Sequence, residues 1–240
     1  MSPLPLHTIL FLDIETVSQY PVFGDVPEDW AALWSRKAEN MLRDKPGATP
    51  EELYGRAAIY AEFGKIVCIS CGVLSGPPAE RKLLLKSFYG DDERDLLNRF
   101  CDLLYKWGSE GQKYLCAHNG KDFDFPYLCR RMIIHGMKLP GVLNLSGKKP
   151  WEIPHLDTME LWKFGEYKSF ISLNLLAHAL GIPTPKDDID GSQVGEVYWN
   201  QKDLERIVTY CQKDVATVAQ VFLRMHGESL IRPENITIKS

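Results

Sequence analysis

The chain of 240 residues has the length of one large domain or two small ones, and with 45% hydrophobic and 11% aromatic residues it can bury a core. Charged residues make up 25%, an ordinary globular share, which excludes a disordered tail, a collagen-like fibre and a coiled-coil rod. The formal net charge of −4 gives no overall basic field, so a nucleic-acid partner would need a local basic patch or bound cations.

The first residues, Met1 to His7, lack a basic leader pattern, and no apolar run nears the roughly 20 residues of a membrane span. A cytoplasmic chain with no membrane partner is expected. His7 to Ile14 reads as a short buried strand running into an acidic end. A helical insertion follows over residues 26–63. Its first helix, Glu28 to Leu42, carries Trp30, Leu33, Trp34, Ala38 and Met41 at helical spacing, and Pro50 to Phe63 is a second candidate.

Lys65 to Leu74 and Arg81 to Tyr89 read as strands joined through Ser75-Gly76-Pro77-Pro78. Asp91 opens an amphipathic helix with the stripe Leu96, Leu97, Phe100, Leu103, Leu104 and Trp107. Lys113 to Ala117 is another strand, leading through His118-Asn119-Gly120 into a helix that begins near Asp124 with Pro126 in its first turn. Ser172 caps a helix over Leu173 to Leu180, which Gly181 ends. The longest helix opens at Asn200 or Gln201, and residues from about 226 to 240 form a C-terminal tail. Strands mixed with helices, then mainly helices, predict one α/β domain over 1–240, built on a mixed β-sheet flanked by helices.

The six cysteines are too few for a disulfide scaffold and lie mostly in strand or helix segments, as buried free thiols do. Cys68 and Cys71 have metal-ligand spacing, but no second pair follows and both sit inside an apolar strand.

The informative residues are acidic. Asp13 and Glu15 stand two apart on a strand and so project from one face, an unfavourable placement unless a proton or a cation intervenes. Asp124 stands where a strand-to-helix turn ends, a position that also suits a plain N-cap. Tyr210 and Asp214 are four apart on a helix and share its face. Each alone is weak; their order and spacing are specific. Phe11-Leu12-Asp13-Ile14-Glu15-Thr16, then Asn119-Gly120-Lys121-Asp122-Phe123-Asp124, then Tyr210-Cys211-Gln212-Lys213-Asp214 resembles the three motifs of the DEDD (DnaQ-like) superfamily of 3′–5′ exonucleases. Tyr210 places the resemblance in the DEDDy branch, because the sister branch needs a histidine where Thr209 stands. Ala61 to Val67 and Pro185 to Ser192 are similar to a bacterial family of stand-alone proteins related to the exonuclease domain of family B DNA polymerases. The likeness is to the exonuclease module without a polymerase.

The resemblance implies an RNase H-like fold and two divalent cations, Mg²⁺ or Mn²⁺. Attack of water on a phosphodiester anion gathers negative charge, which two cations about 3.5–4 Å apart can offset. Oxygen donors suit such hard ions. By resemblance, Asp13 bridges the metals, Glu15 and Asp214 complete the water-activating site, Asp124 supports the second metal through water, and Tyr210 orients the nucleophile. The same resemblance assigns substrate contacts to Thr16, Val17, Asn119 and Phe123. It implies hydrolysis from the 3′ end of nucleic acid, with single-stranded DNA favoured, releasing mononucleotides. The alternatives are an RNase D-like exoribonuclease and a catalytically silent nucleic-acid-binding module. Lys148, Lys149, Lys163, Lys168 and Lys186 are candidates to guide a strand's backbone, or else simply a solvated face. Asp157 reads as a helix cap that could also support the metal site.

Overall fold

The computed structural model describes residues 5–43, 47–109, 111–183 and 189–239. Lys186, with half of the Pro185-to-Ser192 stretch, lies outside them. Six strands form one mixed sheet in the order β5-β4-β1-β2-β3-β6: β1 Ile9–Ser18, β2 Gly64–Ser75, β3 Lys82–Tyr89, β4 Tyr114–Ala117, β5 Leu156–Asp157 and β6 Ile236–Lys239. β1, β2 and β3 run antiparallel in sequence, while β4 pairs parallel to β1 and β6 parallel to β3. The helices are α1 Glu28–Leu42, α2 Glu93–Trp107, α3 Asp124–Ile134, α4 Thr158–Lys163, α5 Leu173–Ala179, α6 Val194–Glu196 and α7 Leu204–Met225.

The central strand β1 divides the core by its two-residue period. Leu10, Leu12 and Ile14 pack with α2 and α3 through Leu97, Phe100, Phe125 and Leu128. Ile9 and Phe11 face α7 and meet Val215, Val218 and Phe222, and Val17 meets Ile207, Val208 and Cys211. Between Phe11 and Val17, this second face carries Asp13 and Glu15 where the apolar pattern calls for two more hydrophobic residues.

Several boundaries differ from the expectations. β1 does not stop at the acidic pair: it pairs with β2 as far as Ser18, with a bulge between Glu15 and Thr16. Both carboxylates therefore stand within a strand. Helix α1 has the expected limits, but Pro50 to Phe63 forms turns and the short 3₁₀ segment Tyr54–Ile59. The Ala58 carbonyl, which a continuous helix would use, is taken by a tertiary donor, Tyr127 Oη at 2.8 Å, and Arg131 Nη1 donates to Ala61 O at the segment's end at 2.8 Å.

Helix α7 starts at Leu204 with Asp203 as its N-cap, later than expected. A π-turn over Val197–Gln201 and a left-handed Lys202 precede it. The tail contains β6, which closes the outer edge of β3. Among the described residues no helix is long and apolar enough to cross a membrane.

Candidate active site

Three separate segments deliver carboxylates to one volume. β1 supplies Asp13 and Glu15 on its α7-facing side. α7 supplies Tyr210 and Asp214 from one helical face, next to the buried Cys211 and Val215. The third contribution follows from where β4 ends. β4 pairs with β1 only over Ile9 to Phe11, so from Leu12 onward that edge of β1 has no neighbouring strand. The turn after β4 carries Asp124 to the vacated edge, and the Ile14 backbone N–H donates to its carboxylate.

That turn is tightly specified. Asn119 adopts a left-handed φ of 63°, a conformation asparagine tolerates well. Gly120 is required by close approach, because a Cβ there would overlap Ala117 Cβ and press on the Phe125 ring. Asp157, buried, caps α4 through the Met159 and Glu160 N–H groups. It also accepts from Asn119 N and Lys121 N at 3.0 Å each. Asp157 is thus the brace that fixes the Asn119 turn to α4. His118 adds a second tie, with Nδ1 2.9 Å from Thr158 Oγ1 and Nε2 2.8 Å from Ile171 O.

The electrostatics are those of crowded anions. Burial pushes the Asp13 carboxyl well above the usual range, and the charges of Glu15, Asp124 and Asp214 push the same way. Glu15 is raised by burial and by Asp214. Asp124 is raised to about 7 by burial, with Asp157 and Asp214 adding to the rise, although its own N–H and that of Ile14 oppose it. Burial raises the Tyr210 phenol far above its ordinary 10.0, and Asp214, Glu15 and Asp13 raise it further. The phenol therefore stays protonated and acts as a donor, hydrogen bonding to Asp214.

Chain similarity accords with this geometry. Residues 59–231 match the family described as predicted 3′–5′ exonuclease related to the exonuclease domain of PolB. The chain belongs to that family. The match begins beyond Asp13 and Glu15, which the fold places beside the matched residues Asp124, Tyr210 and Asp214. A DNA polymerase of Pyrococcus glycovorans is 24% identical over 135 residues, 51% of this chain and 17% of the polymerase. The family B DNA polymerase of the archaeon Pyrobaculum calidifontis is similar in structure, with a TM-score of 0.54 at 14% identity, over 92% of this chain and 24% of that one. The chain thus spans a quarter or less of the length of these polymerases. The mixed sheet with flanking helices is the RNase H-like fold of the polymerase exonuclease domain.

In this member of the PolB-related family the expected substrate residues have varied surroundings. The Thr16 side chain hydrogen bonds to the Tyr127 phenol. Val17 is fully buried and offers no surface to a ligand, which leaves Thr16 as the accessible member of that expected pair. Phe123 is half-buried, its ring 5.3 Å from that of Tyr127.

Sequence reading passed over Cys211. Its Sγ lies 3.3 Å from Asp13 Oδ2 and 3.5 Å from Asp13 O, and ligand atoms of Asp13, Glu15 and Cys211 fall within 4.8 Å of one another. Burial, followed by the neighbouring Cys68 and the carboxylates, raises the thiol well above 9.0. It therefore serves as a protonated donor to Asp13. What remains for a cation is a set of carboxylate oxygens, which suits a hard divalent ion better than zinc.

Proposed function

We propose that this chain is a metal-dependent 3′–5′ exonuclease of the DEDDy type, acting on single-stranded DNA. The observation that carries this reading is the convergence of Asp13, Glu15, Asp124 and Asp214 beside a protonated Tyr210, each acid raising the proton affinity of another. Such a cluster is electrostatically incomplete without cations.

Mg²⁺ or Mn²⁺ held by the four carboxylates would offset their charge and lower the pKa of the attacking water. The protein's own groups set the geometry. Cys211 S–H fixes the orientation of Asp13, and Ile14 N–H that of Asp124. Tyr210 offers its O–H beside Asp214, placed to orient a water for attack, and as a neutral phenol it cannot take that water's proton. Water adds to the terminal phosphorus as the bond to the 3′ oxygen breaks, giving a 5′-mononucleotide and a strand one residue shorter. Thr16, the accessible member of the expected Thr16 and Val17 pair, is assigned to the terminal 3′-hydroxyl, and Asn119 with Phe123 to the nucleotide beside it.

The test is a 5′-labelled single strand incubated with Mg²⁺ or Mn²⁺, in parallel as DNA and as RNA. Stepwise shortening of the DNA that EDTA stops is expected. Intact DNA with each metal rejects the nuclease, and faster loss of the RNA transfers the substrate to RNA.

A further inference from the structure

Three of the four most exposed aromatic side chains of the described residues are concentrated in one short segment. Phe164 and Tyr167 are each 88% exposed and Phe170 is 72% exposed, between the end of α4 and the start of α5. Three rings in water so close together are unfavourable for folding, and such patches mark contact surfaces.

The segment is built rather than slack. Trp162 before it and Ile171 after it both pack against the apolar cluster of Leu176, Ala177, Ile182 and Val221. Between these anchors α4 ends on Phe164 at φ 45°, a left-handed conformation that a bulky side chain rarely adopts. Glu166 N closes the turn on Lys163 O at 2.8 Å. The Ile171 carbonyl accepts from His118, whose neighbour Asn119 begins the turn that presents Asp124. The rings are therefore displayed on a loop tied to the active-site turn.

Charge indicates what the rings meet. Lys163 Nζ sits 4.6 Å from the Phe170 ring centroid, and Lys168 is exposed between Tyr167 and Phe170. Trp151, 76% exposed with Lys149 Nζ 5.2 Å from its ring centroid, repeats the pairing of ring and ammonium in the preceding loop. Of the nearby acids, Asp157 is engaged by backbone N–H groups and Glu160 by Lys121, while the exposed Glu166 is outnumbered in the segment by Lys163 and Lys168. In a chain of net charge −4, exposed rings interleaved with ammonium groups suit a polyanion that carries flat apolar faces. Unpaired nucleotides answer that description, since every base has a face for stacking and every linkage a negative charge.

We propose that Phe164, Tyr167 and Phe170, with Lys163 and Lys168, form a stacking platform for the bases of single-stranded nucleic acid on the 5′ side of the terminal nucleotide. The 5′ direction rests on the 3′-exonuclease reading, because a site that holds the 3′ end leaves only 5′ nucleotides to lie outside it. The platform accepts any base and rejects paired ones, and so would make the enzyme select frayed or unpaired ends.

The experiment measures binding of fluorescently labelled single strands of increasing length by anisotropy in EDTA, apart from any cleavage. Wild-type affinity should rise with length. A protein carrying Phe164→Ala, Tyr167→Ala and Phe170→Ala should lose that rise and bind the longest strand about a hundredfold more weakly, at roughly tenfold or less per ring. The aromatic exchange Phe164→Tyr, Tyr167→Phe and Phe170→Tyr should retain wild-type affinity, which separates stacking from misfolding. Alanine variants that bind within twofold of wild type overturn the platform. Loss of affinity in the aromatic exchange overturns it equally. So does a wild-type dimer that the alanine protein splits in light scattering, which would make the patch a contact between copies of this chain. Length-dependent binding without metal-dependent cleavage would leave the platform standing and remove the nuclease reading.

Discussion

Two groups of buried acids in this molecule have opposite electrostatics. In the first, Glu93 at the start of α2 accepts Arg131 Nε at 2.9 Å and Nη2 at 2.5 Å, Ile66 N at 2.7 Å, and lies 2.8 Å from His135 Nε2. Burial alone would raise this carboxyl, but Arg131 first, then His135 and the Ile66 N–H, hold it below the usual range. In the second, Asp13 is raised by burial and by three other carboxylates, with the Cys211 thiol opposing. One acid has a full set of protein partners and serves as a structural knot. The others crowd one another, and each raises the proton affinity of its neighbours, an arrangement that is costly for folding and useful for binding cations.

Breaking the second group should have the largest effect. Asp13→Asn or Asp214→Asn is expected to reduce cleavage of a labelled strand about a thousandfold or more, since each removes a proposed cation ligand. The same substitutions relieve crowding, so the metal-free protein should melt higher than wild type by calorimetry. A lower melting temperature would mean that the cluster is held by interactions like those around Glu93.

The first group should respond in the reverse way. Arg131→Met leaves Glu93 buried without its main partner, and breaking such a pair costs about 3–5 kcal/mol. For a chain of this size the melting temperature should drop by roughly 6–20 °C. Cleavage per folded molecule, measured well below that midpoint, should be unchanged.

Much of this contrast was legible in the sequence, because apolar periodicity marks faces and carboxylates interrupt them. β2, β3, α1, α2 and α3 lie close to where their patterns place them. What escaped depends on partners distant in the chain. The length of β1 is set by its pairing with β2, and β6 exists through pairing with β3. Residues 50–63 have a helical pattern, but Tyr127 takes the Ala58 carbonyl that a helix would need. Asp157 looks like a cap and is one, but nothing local reveals that the Asn119 turn also hangs on it. Cys211 was hidden by its setting, one apolar-face residue among many on α7.

Within the acidic group, Tyr210→Phe should sharpen the division between charge and orientation. It removes a donor and no charge, so metal binding followed by calorimetry should be retained while the rate falls about ten- to a hundredfold. Loss of metal binding would show that the phenol helps hold Asp214 in place. The dependence on pH separates the groups further. Asp124 binds its proton up to about 7 in the fold and only to about 3.8 when unfolded. Between those values the native state binds more protons, so this group makes metal-free stability fall as pH rises. Cations favour the ionised cluster, so the Mn²⁺-induced rise in melting temperature should be small near pH 5.5 and larger near pH 8. At a hundredfold excess over the dissociation constant, binding contributes about 2.7 kcal/mol, or roughly 5–10 °C. A rise independent of pH would place the ion elsewhere.

The smallest expected effect falls on Cys211, which touches both themes. Its thiol is the side-chain hydrogen bond that opposes the rise in Asp13, and its body is packed among Val17, Val67, Cys68 and Val208. Cys211→Ala keeps most of the packing and removes the donor, at about 1 kcal/mol for a weak hydrogen bond and a small void. Cys211→Ser keeps a donor and adds a hydroxyl. If the thiol neither aligns Asp13 nor shapes the site by its packing, both variants should cleave like wild type. If it aligns Asp13, the alanine variant should lose roughly three- to tenfold in rate and need more metal for half-maximal activity, while serine restores both. A loss shared equally by the two variants would assign Cys211 to packing, leaving Ile14 N–H on Asp124 as the donor that orders this cluster.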